Sequence, residues 1–309
     1  MPHYLITGGA GFIGSHLVEL LLQTGHRVTV IDDFSIGKRE NLTRQRKLSV
    51  VAADLLTVTH DQLAGPFDAV VHLAALPSVN NSWTDVMAAH QMNLTATVHV
   101  VELARAMSIP RIVFASSAAV YGNPQSVPIA EEHPTLPLSP YGLQKLASEQ
   151  YGRLFGQNQT LSFVALRIFN VFGPRQVATS PYSGVISRFA SAMRSGQPIK
   201  IYGDGKQTRD FVYVTDITRG IAQALDASLE PFIVCNLGTG RAVSIRELAE
   251  IMRTIFPDWK GSLQPAPALR GEIVHSQPSI AAAGRRLGFK PAYSLETGLA
   301  RMMQPAVHP

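Results

Sequence analysis

Short, β-rich apolar runs alternate with longer amphipathic stretches through the first half of this chain. The runs fall at residues 4–6, 28–31, 48–52, 69–73 and 112–115, and helical periodicity is clearest over 11–23, 86–107 and 141–157. Near-continuous apolar runs with β-branched residues are strand signals, and apolar positions recurring every three to four residues are helix signals. Their alternation predicts a parallel sheet covered by helices on both faces, a Rossmann-type doubly wound α/β fold. A further strand is expected at 161–168, directly after the helix at 141–157.

Past Arg167 the texture changes. Gly and Pro punctuate Phe172-Gly-Pro-Arg175, Ser180-Pro-Tyr-Ser-Gly184 and Tyr202-Gly-Asp-Gly205, around one helix at Val185–Arg194. A helix at 214–227 and a strand at 232–236 read as returns to the sheet, and the Pro-rich C-terminal third ends in two amphipathic helices. The expected division is therefore interleaved. Residues 1–166 with 211–239 would form a dinucleotide-binding lobe, and residues 167–210 with 240–309 a smaller substrate-binding lobe.

Composition narrows the class. With 46% apolar and 16% charged residues among 309, the chain is an ordinary globular protein with enough length for a full core. Its net charge of +5 invites a nucleic-acid reading. The densest basic group, Lys38, Arg39, Arg44, Arg46 and Lys47, is short and lacks interleaved aromatics, so a solvated loop is the better account. A small polyanionic substrate is the more economical partner. The one cysteine, Cys235, lies in an apolar run and reads as a buried structural thiol. No window approaches the ~18 uninterrupted apolar residues of a membrane span. The chain opens directly on a strand, without a basic segment and long apolar stretch, so a cytoplasmic protein is expected.

Three local patterns carry chemistry. Thr7-Gly-Gly-Ala-Gly-Phe-Ile-Gly14 joins the first strand to the first helix, with Gly8, Gly11 and Gly14 spaced Gly-x-x-Gly-x-x-Gly. Such glycines give a tight turn, let backbone approach a diphosphate, and pack helix on sheet; the diphosphate sits on free amides at the helix start. The next strand ends in Asp32-Asp33, and a carboxylate there accepts from ribose hydroxyls and repels a 2′-phosphate, which favours NAD over NADP. Cofactor contacts are thus expected from Gly8, Gly11, Phe12, Ile13 and Gly14, from Asp32 and Asp33, and from Asp54 and Leu55 after the third strand. Leu73, Ala74 and Ala75 extend that path past the fourth strand. Asp54 serves equally as a helix cap, and the two alanines equally as packing.

The second pattern is Tyr141-x-x-x-Lys145. On a helix these share one face, so the ammonium stands beside the phenol and favours its ionised form. The third is Ser116-Ser117, at the carboxyl end of the fifth strand, where open α/β sheets bind ligands. Ser117 becomes a hydrogen-bond donor to a substrate oxygen, since no Gly-x-Ser-x-Gly elbow supports hydrolysis.

With Arg167-Ile-Phe-Asn170 and Tyr202-Gly-Asp-Gly205 followed by Arg209-Asp210, these motifs resemble the extended short-chain dehydrogenase/reductases acting on nucleotide sugars, over nearly the whole chain. The resemblance implies catalysis by Ser117, Tyr141 and Lys145, and a position for Asn93 near the nicotinamide ribose. It implies that Asn170 and Arg209 hold the diphosphate, with Val185, Ile201 and Tyr202 around the base. Related 4,6-dehydratases carry Asp-Glu after the Ser or Thr, and related decarboxylases keep a Glu; here Ala118-Ala119 stand there. The Cys or His of reductase-epimerases is also missing. Redox at C4 remains, and the resemblance is to NAD-dependent UDP-sugar 4-epimerases, with UDP-hexoses, UDP-N-acetylhexosamines or UDP-hexuronates as substrates. A net oxidoreductase releasing the 4-keto sugar, or a non-catalytic dinucleotide sensor, are the competing readings. In related epimerases a residue following an Arg-x-Gly-Asp-like motif borders the C2 side of the hexose. Leu269-Arg-Gly-Glu272 puts Ser276 there, with Arg270 a further phosphate ligand, or else the loop is only a connector. The family also implies a homodimer, through the helices at 86–107 and 141–157, whose apolar stripes serve equally as core-facing surfaces.

Overall fold

The computed structural model describes residues 1–158, 161–176, 184–268 and 273–303. Its centre is a seven-stranded sheet. Six strands come in order from β1 (His3–Thr7), β2 (Arg27–Ile31), β3 (Leu48–Val51), β4 (Ala69–His72), β5 (Arg111–Ser117) and β6 (Ser162–Ile168); the last is Phe232–Leu237. Across the sheet they run Phe232–Leu237, β6, β5, β4, β1, β2, β3, every pairing parallel. Both faces are buried except at the edge strand β3, which is why most strands read as unbroken apolar runs. The order reverses between β1 and β4, and ligands bind at such a switch point, outside the carboxyl ends of the strands.

One face packs on α1 (Phe12–Gln23) and on the helix Val214–Leu225, through Leu17, Leu21, Ile217 and Ile221. The other packs on the helices Ala96–Ala106 and Pro140–Asn158, with Val100, Val101 and Phe163 among the buried side chains. The helix expected over 86–107 is not continuous. Val86–His90 and Ala96–Ala106 are separated by a π turn at Gln91–Thr95. Its cause is Asn93: the side chain bonds the Leu76 backbone, and the carbonyl accepts from both Thr97 Oγ1 (2.8 Å) and Ser148 Oγ (3.2 Å). A carbonyl shared with side chains loosens the regular ladder.

The second core gathers Ile186, Phe189, Met193, Leu248, Met252 and Leu299, on the helices Val185–Arg194, Ile245–Ile255 and Leu295–Met303, with Phe172 from a short strand. Packing departs from the expected division in one place. Helix Ala281–Leu287, anticipated in the second lobe, sets Ala283 and Leu287, with Phe289, into the first core. Gly220 makes the room, since a Cβ there would lie 3.0 Å from the Phe289 ring. A staple also joins the lobes: His16 Nε2 lies 3.0 Å from the Pro174 carbonyl, and Arg175 pairs with Glu19 at 2.8 Å. Among the described residues no helix is long and apolar enough to cross a membrane.

Candidate active site

The turn between β1 and α1 is built for close backbone approach. Gly8 has φ +70°, and a Cβ on it would lie 2.7 Å from Ala74 N at the end of β4. A Cβ on Gly14 would meet Gly9 Cα at 2.8 Å and run into the Gly8 carbonyl. Gly11 caps α1 with no side-chain hydrogen bond, so the first-turn amides around Phe12 and Ile13 have no intrahelical acceptor. A narrow cradle of amides without side chains fits a diphosphate. Asp32 flanks it at 7% exposure, accepting from Ala10 N (2.8 Å) and Phe34 N (2.9 Å). Burial pushes the Asp32 carboxyl up, and those two amides pull it back down. The same bonds tie the glycine loop to the end of β2.

Other expected cofactor residues divide by environment. Leu73, Ala74 and Ala75 are half-buried beside Gly8, on the path past β4. Asp33 is exposed and closes a local turn on Ser35 N and Oγ. Asp54 is exposed too, accepting from Leu56 N at 2.9 Å, the local turn its spacing allowed. The Leu55 side chain is 4% exposed and packs with Val58, Leu63 and Phe67 in the core, which leaves its backbone as the part that could meet a cofactor. Asn93 is 1% exposed, its amide committed to Leu76 and to Gln144 Oε1 (2.8 Å). It braces the loop after β4 against the Tyr141 helix, which a direct ribose contact would not require.

The three catalytic candidates converge. Three residues at the end of β5 each meet a side chain from one of three turns of the helix Pro140–Asn158. Ala115 O accepts from Lys145 Nζ at 2.8 Å, Ser116 Oγ donates to Glu149 Oε1, and Ser117 hydrogen-bonds Tyr141. Tyr141 N also donates to Ser82 Oγ at 3.1 Å, fixing the helix start. The electrostatics differ from the simple expectation. Burial raises the Tyr141 pKa, with the Ser117 hydrogen bond working against it. Lys145 Nζ lies 5.9 Å from the phenol ring centroid and 4.6 Å from that of Phe114. Burial pushes the ammonium down to about 7, opposed by the Glu149 charge. In this ligand-free arrangement Ser117, rather than Lys145, favours the phenolate. Behind them His72, between Thr7 Oγ1 (2.7 Å) and Thr97 Oγ1 (3.1 Å), is kept neutral, at about 3, by burial and then by Lys145.

Facing this group, the second lobe presents Asn170, exposed at the start of the short strand Asn170–Phe172, its amide donating to Asp210 O at 3.2 Å. Arg209 is half-buried, donating to the Thr208 and Ile273 carbonyls at 2.8 Å. Val185 and Tyr202 are half-buried. The Ile201 side chain, at 5% exposure, belongs to the lobe core with Ile199, as alternation along Ile199–Tyr202 requires, so its backbone is the part that could border a base. Ser276 is 7% exposed, beside Gln277, whose carbonyl accepts from Ile129 N at 2.7 Å. Arg270 lies outside the described residues.

Two features escaped the sequence. Asp210 is fully buried and accepts from Thr239 N (2.8 Å), Thr239 Oγ1 (2.9 Å) and Arg241 N (3.0 Å); burial still pushes it up to about 6. Its neighbours in sequence and in space are Arg209 and Asn170, so it anchors the expected diphosphate side. The other is a buried polar relay. Glu149 binds Arg167 at 2.8 Å, Arg167 Nη1 donates to Tyr121 Oη (2.9 Å), and Tyr121 Oη donates to Asn236 Oδ1 (2.6 Å). Asn236 Nδ2 then donates to Ile129 O (2.9 Å) and Ser279 O (3.2 Å). A Glu one helical turn past Lys145 was the available signal.

The sequence profile of the NAD dependent epimerase/dehydratase family matches residues 4–238. A UDP-glucose 4-epimerase of Mycolicibacterium smegmatis is 35% identical over 311 residues, 97% of each chain. Among solved structures, a UDP-N-acetylglucosamine 4-epimerase from Methanobrevibacter ruminantium, in complex with UDP-N-acetylmuramic acid, superposes with a TM-score of 0.93. It is 36% identical, covering 97% of this chain and 96% of its own. A UDP-glucuronic acid 4-epimerase from Bacillus cereus, in complex with UDP-glucuronic acid and NAD, gives 0.89 at 31% identity and 97% coverage of both.

Proposed function

The chain belongs to the NAD-dependent epimerase/dehydratase family, and from that premise we propose that it is an NAD-dependent 4-epimerase of UDP-sugars. The reading covers UDP-N-acetylglucosamine with UDP-N-acetylgalactosamine, UDP-glucose with UDP-galactose, or both, through a transient 4-keto sugar. The observation that carries it is the meeting of Ser117, Tyr141 and Lys145 at the end of β5, with Ala118 and Ala119 beside them. No carboxylate follows Ser117 to do acid–base work at C5 or C6.

When bound, NAD would supply a reversible hydride acceptor for the C4–H bond. The Gly8–Gly14 turn and Asp32 would hold it, the carboxylate by its ribose and against a 2′-phosphate. Tyr141 takes the proton from the 4-hydroxyl and later returns it, while Ser117 hydrogen-bonds the same oxygen and stabilises charge there. Lys145 orients the nicotinamide ribose and adds positive charge near the phenol. Asn170 and Arg209 bind the diphosphate; Val185 and Tyr202 border the uracil. A ketose free to turn over before hydride returns gives the C4 epimer.

A homodimer is part of this reading. Leu143, Tyr151 and Leu154 fall on one face of the Tyr141 helix and are 59%, 41% and 58% exposed. Val86 and Met87, on the neighbouring short helix, are 48% and 68% exposed. Exposed apolar side chains clustered on two adjacent helices fit a second copy packed helix to helix.

The test is to incubate purified protein with UDP-glucose, UDP-N-acetylglucosamine and UDP-glucuronate and resolve the C4 epimers. Conversion without accumulation of NADH is expected. Steady release of NADH would instead establish a net oxidoreductase. Turnover of the N-acetylated sugar that Ser276→Tyr abolishes selectively would identify Ser276 as the C2-side gate.

A further inference from the structure

The catalytic machinery of an SDR-type site is usually counted at the groups that touch substrate or cofactor. Here a buried carboxylate outside that set is bonded to the same strand end. Glu149 is 1% exposed and stands one helical turn beyond Lys145, on the same helix face. Ser116 Oγ donates to its Oε1, while Arg167 holds both oxygens through Nε (3.0 and 3.3 Å) and Nη2 (2.8 Å). Ser116 lies between Ala115, which receives Lys145, and Ser117, which receives Tyr141. Lys145 and Glu149, one turn apart, are thus each bonded to this strand end, and the Glu149 contact is the one backed by a fixed counter-charge.

We propose that Glu149, held by Arg167, is a positioning residue that sets the register of the catalytic helix against β5 and supplies the negative charge that favours the Lys145 ammonium. This rests on the 4-epimerase reading for its catalytic consequence. The ionisable groups around Lys145 are Tyr141 and Glu149 on its own helix, His72 on β4, and Arg167 on β6, while β5 presents only Phe114, Ala115 and Ser116. Of these, His72 is neutral and Tyr141 is a phenol kept protonated by burial, so neither supplies negative charge in the ligand-free protein. Arg167 is positive but faces Glu149 from the far side. Glu149 is the anion that opposes the loss of charge on Lys145 by burial. A buried ammonium without such a partner gives up its proton.

The experiment titrates Lys145 directly, by carbon-13 NMR of lysine-labelled, ligand-free protein, with its signal identified by loss in Lys145→Met. In Glu149→Gln the midpoint should fall by about one pH unit or more. That variant leaves Arg167 buried and unpaired, so Glu149→Gln/Arg167→Met is run beside it, with no orphaned charge. The double variant should fold and show the fall in the same direction. With a UDP-sugar the wild type turns over, the alkaline limb of kcat should move down by the same interval. A merely structural role would lower the melting temperature and leave both the titration and the limb in place. A folded double variant in which Lys145 titrates at the wild-type midpoint overturns the inference. If the midpoint falls but the wild type epimerises none of the sugars, the charge role stands and the functional reading fails.

Discussion

At the scale of single residues, the site is a contest between burial and charge. Tyr141 is kept neutral by burial and drawn toward ionisation by Ser117. Tyr141→Phe keeps the ring and removes the proton acceptor, so turnover should fall roughly 100-fold or more. NAD should still be recovered from the denatured variant, and near-normal epimerisation would refute the assignment of the base. Lys145 makes a second prediction, about stability. It titrates near 7 in the fold against 10.5 ordinarily. Between those values the unfolded chain binds more protons than the folded one, so this residue's contribution to stability rises with pH and is lost as pH falls toward 7. Lys145→Met should therefore abolish turnover and yet raise the thermal midpoint at pH 7, with the gain fading as pH approaches 10.5. A lowered midpoint at pH 7 would mean that the bond to Ala115 O outweighs the burial of the ammonium.

At the scale of elements, the strand–turn–helix from β1 to α1 was legible because its glycines are dictated by geometry. Gly14→Ala would place a methyl against Gly9 Cα and the Gly8 carbonyl, and backbone on both sides cannot yield as a side chain would. Loss of bound NAD is expected, with destabilisation of about 1–3 kcal/mol, the range for overpacking; release of stoichiometric NAD from this variant would refute it. The positions of the first six strands and the Tyr141 helix were likewise written in local pattern. What was not legible depends on tertiary partners. The π turn at Gln91–Thr95 arises because Ser148, on a distant helix, shares the Asn93 carbonyl, and no periodicity in 86–107 signals that. The burial of the Ile201 and Leu55 side chains was not legible because a motif names positions but not the face each side chain takes. Asp210 and the Arg167 relay escaped because their partners, Thr239 and Tyr121, lie far away in sequence.

At the scale of the whole molecule, the exposed apolar stripe predicts association. Leu143→Glu with Leu154→Glu should give monomers by sedimentation while leaving the monomer's fold unchanged by circular dichroism; a double variant that sediments like the wild type would remove this face as the interface. The lobes themselves are stitched rather than joined. The chain leaves the first core after Ile168, returns with Val212, leaves after Leu237, comes back through Ala281–Leu287 and ends on the second core, with His16 and Arg175 pinned across the seam. A body connected by one strand swings like a door; one connected by many threads shears but does not open. The consequence is topological. No single proteolytic nick or truncation releases either half as a foldable piece, and limited digestion should leave the two halves co-migrating under native conditions.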